Sequence, residues 1–430
     1  MKFKRDRMHQ KRFLHMKLVS MLLIMSLLAG ACGQKTSTQV KSDAVFMKSQ
    51  GSELKLDKAM LQSVDASNAL GVEMFKKMAQ ADKDKNQLLS PMSLMFALSM
   101  LQNGAEGTTK AELLAAMGEQ EQGLNERYNH LVDYMNQFDG KAVTLKTANS
   151  LWVRKGLSIK ETFVDTLKKY YDAEVFISDF NGVKALDDMN KWVEEKTNSL
   201  LKETIKEIKP ETIAYLMNTV YFKGTWRDEF SADMTSREPF HMDDGNEKTV
   251  DMMYKVASLA YRESEKWQAV SLPYYGDCSM VVILPKGEID SLIEGFSSEE
   301  INAMLSIGDK DYKRVALKLP KLDYEVSNQL SDVLKELGIE KAFSRHEADF
   351  SQMAELEGEN IFVGSIFQNT RIILDEKGTE AAAVTVVELE TGSAAIEAEP
   401  IEMTCDKPFM YLIKEDKTNA VLFMGIARRP

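Results

Sequence analysis

The sequence predicts a single α+β domain in which helices come first and mainly antiparallel strands dominate later. Apolar residues recur at helical spacing in the first half of the chain, and short apolar runs follow in the second half. No internal repeat and no low-complexity boundary divides the 430 residues. One mixed domain can accommodate a chain of this length.

Helices are predicted in three segments. Between residues 65 and 79, apolar side chains recur at helical spacing, which is typical of a helix with one buried face. Residues 92–102 are almost entirely apolar and predict a buried helix. Thr108 and Thr109 are expected to cap a third helix over residues 110–117.

Strands are predicted from four apolar runs in the second half. Proline follows the first two runs directly, and a proline cannot donate to a β-ladder. The runs are Val281–Leu284, Val315–Leu319, Arg371–Leu374 and Val421–Ile426.

The N-terminus predicts export. Seven Lys or Arg residues lie within the first 17 positions, and an apolar run from Leu18 to Ala31 follows. This layout is typical of a secretory signal, here residues 1–31. The run is shorter than the roughly 20 apolar residues that span a membrane as a helix.

Cys32 predicts a lipid anchor. It follows Leu28-Ala29-Gly30-Ala31, and small residues before a cysteine resemble the processing site of bacterial lipoproteins, where the cysteine sulfur takes a diacylglyceryl group. We therefore expect a lipidated Cys32, a polar tether over 32–56 and one domain over 57–430, in a protein anchored to the bacterial cell envelope. A secreted protein with an ordinary signal peptide is the alternative.

Charge and residue spacing argue against several function classes. Without residues 1–31, which hold seven basic residues and one acid, the chain has 47 basic and 65 acidic residues, a net charge of −18. Such a surface repels phosphate backbones, so no nucleic-acid partner is expected. No metal-ligand spacing, nucleophile elbow or phosphate-binding loop occurs, so no metal, cofactor or enzymatic activity is predicted. Cys278 and Cys405 allow one disulfide by count, and sequence cannot test its geometry.

Residues 376–400 are long, rich in small side chains and bounded by predicted strands. Loops of this length in a compact domain are usually functional or disordered. From residue 379 to 390, the three charged residues Glu380, Glu388 and Glu390 share one set of alternate positions. Because alternate side chains of a strand point to opposite faces, this segment could also form a strand with one uncharged face.

This segment resembles the hinge of inhibitory serpins, and further motifs occur in that family's order across residues 65–430. The motifs are Leu89-Ser90-Pro91-Met92-Ser93, Asn218-Thr219-Val220-Tyr221-Phe222-Lys223-Gly224-Thr225-Trp226, Leu319-Pro320-Lys321, Glu376-Lys377-Gly378-Thr379-Glu380-Ala381-Ala382-Ala383 and Lys407-Pro408-Phe409.

The resemblance implies a serpin fold, with helices packed around three mainly antiparallel β-sheets and an exposed reactive-centre loop at about 376–400. It implies a suicide substrate of serine or cysteine endopeptidases. The protease cleaves the loop, forms an acyl-enzyme, and is trapped in a covalent 1:1 complex when the freed hinge inserts into the central sheet. The inhibitor is expected to be a monomer. A non-inhibitory serpin acting as a binding or scaffold protein is the alternative.

The resemblance also assigns roles to particular residues. Thr379 is expected to enter the sheet first after cleavage, so that changing it would leave the stability of the uncleaved protein unaltered. Trp226 is expected where the loop enters. The hinge residues are Glu376, Gly378, Thr379, Glu380, Ala381, Ala382 and Ala383, and the polar cluster under the opening sheet is Ser90, Ser93, Asn218 and Gln368, the last standing where the family has histidine.

The reactive bond is predicted at one of two positions. The family's spacing counted forward from Glu376 gives Gly392–Ser393, and counted back from residues 407–409 it gives Glu397–Ala398. The forward count is favoured because the length of the inserted strand is mechanically constrained.

Overall fold

The structure is a computed structural model that describes residues 57–136, 143–202, 204–209, 212–355, 361–379 and 399–430. The signal segment, Cys32 and the tether up to residue 56 lie outside the described residues.

Helices dominate the first half of the described chain, and the three predicted helices are confirmed. The helices are α1 Lys58–Ala81, α2 Pro91–Gly104, α3 Gly107–Met117, α4 Leu124–Asn136, α5 Glu161–Tyr171, α6 Val183–Lys196, α7 Ile289–Glu294, α8 Ser298–Leu305 and α9 Ser331–Glu336, with 3-10 turns at Ala232–Met234 and Lys341–Phe343. None of these helices is long and apolar enough to span a membrane.

The start of α3 differs from the prediction. Its first residue is Gly107, and neither Thr108 nor Thr109 caps it. Thr109 Oγ1 instead accepts a hydrogen bond from the Asp349 amide at 3.0 Å, and the Glu106 amide donates to the Asp349 carbonyl at 3.0 Å. A contact with a segment 240 residues away therefore fixes this helix start.

Strands dominate the second half, and the four predicted strands are confirmed as β9, β10, β13 and β17. The strands are β1 Gln87–Leu89, β2 Val143–Arg154, β3 Ser158–Ile159, β4 Glu174–Ser178, β5 Ala214–Thr225, β6 Ser236–His241, β7 Glu247–Glu263, β8 Trp267–Pro273, β9 Cys278–Pro285, β10 Tyr312–Pro320, β11 Leu322–Gln329, β12 Ala354–Glu355, β13 Phe367–Asp375, β14 Gly378–Thr379, β15 Ile401–Thr404, β16 Phe409–Glu415 and β17 Val421–Ala427.

The described strands form three mainly antiparallel sheets, as predicted. The largest has nine strands in the order β1-β17-β16-β9-β8-β7-β10-β15, with β6 also paired to β7. The second has six strands in the order β11-β13-β14-β5-β2-β4, and β12 pairs with β3. Parallel pairing is confined to β10–β15, β13–β5 and β2–β4.

The six-stranded sheet has an apolar layer on each face. On one face, Val220 and Phe222 of β5 join the main core, which also contains the buried helix α2. On the other face, Tyr215 and Met217 of β5 pack beneath α6, against Trp192 among other residues. Side chains of β5 with even numbers therefore face the main core, and those with odd numbers face α6.

Cys278 and Cys405 are free and buried. The disulfide that the count allowed is therefore not formed, and burial raises the pKa of both thiols.

Candidate functional site

The six-stranded sheet is incomplete between β5 and β13. At one end the two strands pair directly, from Phe367 opposite Met217 to Asn369 opposite Thr219. Beyond that point, residues 370–373 of β13 and 220–223 of β5 share no ladder in the described part of the chain. A sheet that lacks ladder bonds between two central strands offers backbone donors and acceptors to an additional strand. We call this region the gap.

The far end of the gap is occupied by β14. Gly378 and Thr379 pair antiparallel with Asp375 and Leu374 on one side, and with Thr225 and Gly224 on the other. Two residues of the predicted hinge thus lie between the two strands that the gap separates.

Thr379 is already inside the sheet. It is 3% exposed, and its hydroxyl lies 2.7 Å from the Tyr274 hydroxyl. The expectation that Thr379 stays outside the sheet until cleavage is therefore wrong. The physical reason is the buried Tyr274: its hydroxyl needs a hydrogen-bond partner, which Thr379 supplies, and its burial raises its pKa.

Gly378 occupies a position that admits only glycine. Its φ is 146°, and a Cβ there would lie 2.0 Å from the Gly224 carbonyl oxygen. Gly224 is constrained in turn, because a Cβ on it would lie 2.6 Å from the Tyr274 ring. The two glycines therefore allow β5, β14 and Tyr274 to pack without clashes.

Trp226 contacts the backbone just before β14. Its Nε1 donates to the Asp375 carbonyl at 3.1 Å and its amide donates to the Lys377 carbonyl at 2.9 Å. Its ring stacks on Tyr274, with centroids 4.3 Å apart. Trp226 is 1% exposed, so it is a core residue that also touches the hinge.

Glu376 is held by three groups. Its carboxylate pairs with Lys321 Nζ at 2.8 Å and accepts a hydrogen bond from Thr235 Oγ1 at 2.7 Å, while its carbonyl accepts from the Phe230 amide at 2.8 Å. Partial burial alone would raise the pKa of Glu376, but the hydrogen bonds from Lys321 and Thr235 outweigh it and lower that pKa. The chain is thus fixed at the first hinge residue, directly before β14. Sequence reasoning missed Thr235, which no motif marks.

At the other end of the gap lies a polar cluster. Gln368 Oε1 accepts from the Ser90 amide at 2.8 Å, and Gln368 Nε2 donates to the Ser90 carbonyl at 2.9 Å. Gln368 is also the register partner of Asn218. The structure therefore joins Ser90 to β13 through the amide group that replaces the expected histidine.

Asn149 is a member of this cluster that sequence reasoning missed. Its Oδ1 accepts from Asn218 Nδ2 at 2.7 Å, and its Nδ2 donates to the Tyr171 carbonyl at 3.1 Å. Ser93 Oγ and Asn218 Oδ1 are buried without a hydrogen-bond partner in the described part of the chain. The cluster is therefore only partly satisfied in this conformation.

The remaining predicted positions lie outside the described residues. They are Cys32 and, in the loop, Glu380, Ala381, Ala382, Ala383, Gly392, Ser393, Glu397 and Ala398.

The chain is similar in sequence and fold to serpins. The family described as Serpin (serine protease inhibitor) matches residues 65–430. A serpin-like protein of Methanosarcina acetivorans is 32% identical over 428 residues, covering 96% of this chain and 98% of its own length.

Two solved structures superpose closely. The native state of tengpin, a thermophilic serpin, has a TM-score of 0.78 at 27% identity, with 88% of this chain and 96% of tengpin covered. Human thyroxine-binding globulin, solved in complex with thyroxine, has a TM-score of 0.78 at 26% identity, with 86% of this chain and 99% of the globulin covered. The chain therefore belongs to the serpin family.

Proposed function

We propose that this serpin is a suicide substrate that traps serine or cysteine endopeptidases as covalent acyl-enzymes. The observation that carries the proposal is the gap between β5 and β13, with Gly378 and Thr379 already paired at its end. A loop attached at this point needs no separate nucleation to become a strand, because Gly378 and Thr379 already pair with both neighbouring strands.

The register of β14 gives the path of insertion. It pairs Thr379 with Leu374 and Gly224, so continuing it into the gap would place Ala381 opposite Ile372 and Phe222, which face the main core. Alternation then puts Ala383 on the same face and the carboxylate of residue 380 on the other face. Small side chains would thus meet the buried surface.

The stored energy would come from the ladders that the gap lacks. Each inserted residue can form backbone hydrogen bonds to β5 or β13, and about 14 residues at ~3.3 Å would give a strand of roughly 46 Å. Each net hydrogen bond contributes about 0.5–1.5 kcal/mol, so a complete strand would contribute several kcal/mol in addition to buried side-chain area. The protease, still linked to the loop as an acyl-enzyme, would be displaced along the sheet.

The remaining parts of the proposal follow from sequence. The reactive bond is proposed at Gly392–Ser393, with Glu397–Ala398 as the alternative, and the inhibitor acts as a monomer in a 1:1 complex. The chain is proposed to be exported and anchored to the bacterial cell envelope through a lipid on Cys32, with secretion as the alternative. No catalytic group of its own is needed, since the protease supplies the nucleophile.

The second candidate is a serpin that binds a ligand or acts as a scaffold without trapping proteases. The similarity to human thyroxine-binding globulin favours it. The missing ladder between β5 and β13 favours inhibition, because it leaves a place in the sheet for an added strand, which ligand binding does not need.

Trapping can be tested with a panel of serine and cysteine endopeptidases. We expect a complex that survives denaturing electrophoresis, with the mass of protease plus inhibitor minus a C-terminal fragment whose mass identifies the reactive bond. The control is the same protease with its nucleophile replaced by alanine, which should form no covalent complex. If every protease cleaves the loop and none is trapped, the non-inhibitory alternative stands.

A further inference from the structure

A short segment after α6 covers the same face of the six-stranded sheet as α6 does. We call residues 197–202 the strap. Leu201 packs in the apolar cluster beneath α6. Asn198 and Ser199 have φ of 53° and 61°, in the left-handed region that residues other than glycine adopt at an energetic cost. Backbone strain of this kind persists only where the surroundings enforce it.

The strap is fixed to the end of α6. Ser199 donates its amide to the Glu194 carbonyl at 2.8 Å. Thr197 Oγ1 donates to the Val193 carbonyl at 2.7 Å and accepts from the Leu201 amide at 3.2 Å. Since α6 packs on side chains of β2 and β5, the strap belongs to the β5 side of the gap.

Arg371 reaches the strap from the β13 side of the gap. Its Nη1 donates to the Leu200 carbonyl at 3.1 Å. Its Nε and Nη2 donate to Asp323 Oδ1 at 3.0 and 2.8 Å. Asp323 lies on β11, which pairs with the edge of β13 that faces away from the gap. The guanidinium is therefore held by the β11–β13 side while it binds the strap.

This hydrogen bond crosses the path of insertion. Arg371 lies two residues beyond Asn369, the last residue of β13 that pairs with β5. An added strand would move the end of β13 that pairs with β5 by about one interstrand spacing, ~4.8 Å, and would move Arg371, which lies between that end and β14, by part of this distance. A hydrogen bond of 3.1 Å does not survive such a separation, and the Asp323 ion pair keeps the guanidinium from following the strap.

We propose that Arg371 is a positioning residue that ties the strap to β13 and slows the opening of the sheet. The inference rests on the proposed insertion mechanism and adds a specific group that limits its rate. While the bond between Arg371 and Leu200 holds, the strap and β13 keep the gap narrow. Insertion of a cleaved loop breaks this bond and replaces it with new ladder bonds.

Uptake of a synthetic peptide with this chain's residues 380–392, which leaves the position of Thr379 to the protein itself, measures sheet opening without a protease. The parent protein and Arg371→Met would be incubated with the peptide, and uptake followed as the fraction of protein with a raised thermal midpoint. We expect Arg371→Met to take up the peptide about tenfold faster or more, because a hydrogen bond to a charged group no longer has to break. If the parent protein does not take up the peptide, the parent and Arg371→Met are compared by the rate at which the thermal midpoint rises after a protease cuts each protein's own loop.

Arg237→Met is the matched control. Arg237 pairs with Asp251 at 3.7 Å and donates to the Thr249 carbonyl at 3.4 Å, so it has the same kinds of partner as Arg371 but lies in the nine-stranded sheet. The Arg237→Met variant should take up the peptide at the parental rate. Asp323→Asn is a second variant that frees the guanidinium to follow the strap, and it should give an intermediate rate.

Two further measurements separate positioning from a general structural role. The free energy of unfolding of the peptide-free protein should change little, and by similar amounts, in Arg371→Met and Arg237→Met. The rate of amide hydrogen exchange over residues 198–201 should rise only in Arg371→Met. Parental rates in both Arg371→Met and Asp323→Asn would overturn the inference and leave the proposed function standing. A parent that neither takes up the peptide nor gains stability after loop cleavage would overturn both.

Discussion

The hydroxyl pair of Thr379 and Tyr274 provides the sharpest test of hinge placement. Both side chains are buried, and their oxygens are 2.7 Å apart. Thr379→Val keeps the shape of the side chain and removes its hydroxyl, leaving the Tyr274 hydroxyl without this partner. An unsatisfied buried hydroxyl costs about 1–3 kcal/mol, so we expect the uncleaved protein to lose that amount of stability.

The companion variants complete a double-mutant cycle. Tyr274→Phe removes the other hydroxyl and should lose a similar amount. The double variant Thr379→Val with Tyr274→Phe replaces both partners by apolar groups of nearly the same shape, which is close to neutral. Because the two single losses add to about 2–6 kcal/mol while the double variant is nearly neutral, the expected coupling energy is roughly 2–6 kcal/mol, well above the few tenths seen for independent sites.

The assay is urea unfolding of the uncleaved protein, with the free-energy change taken from the midpoint shift at constant slope. Additive effects of the two single variants would show that the hydroxyls do not bond, and would contradict the placement of the Thr379 side chain beside Tyr274 in the uncleaved protein. Thr379→Arg extends the test, since an unpaired charge placed at this buried position should destabilise the uncleaved protein by several kcal/mol.

Four further outcomes are expected. Gly378→Ala should destabilise the protein by more than about 2 kcal/mol in thermal unfolding, because the added Cβ would collide with the backbone of Gly224. Gly245→Ala is the control: with φ of 79° and open space around it, this variant should lose only about 1 kcal/mol of stability. The pKa of Glu376 is lower in the folded protein than in the unfolded chain, so its ion pair stabilises the fold at pH values above the pKa of the unfolded chain. This stabilisation is lost as the pH falls through the pKa of the folded protein. The difference in unfolding free energy between the parent and Glu376→Gln should therefore be present at pH 7 and vanish in acid. Asn149→Ala should lose about 1–3 kcal/mol in urea unfolding, and Asn149→Asp should lose more, because a buried carboxylate would replace the amide that donates to the Tyr171 carbonyl. Cys32→Ser should abolish lipid labelling and release the protein from membranes, and a variant that stays membrane-bound would contradict lipid anchoring.

Much of the fold could be predicted because its signals are local. The run Val281–Leu284 is apolar at every position and is followed by a proline, so it predicts a buried strand without knowledge of the neighbouring strands. The structure places it in β9. Residues 92–102 identify α2 in the same way, since a helix that is apolar on all sides has to be buried. The start of α3 could not be predicted, because the Asp349 backbone that engages Thr109 is 240 residues away.

The hinge shows the same division. Sequence alone determined that residues 376–383 combine a glycine with small, alternating side chains, and that they resemble a serpin hinge. The burial of Thr379 could not be predicted in this way, because its partner Tyr274 lies 105 residues away, directly after β8. Likewise, Arg371 is one polar residue at the start of an apolar run until the fold brings the Leu200 carbonyl to it. The pattern of residues along one segment predicts its secondary structure and its buried face. A hydrogen bond between distant segments depends instead on how the whole chain packs.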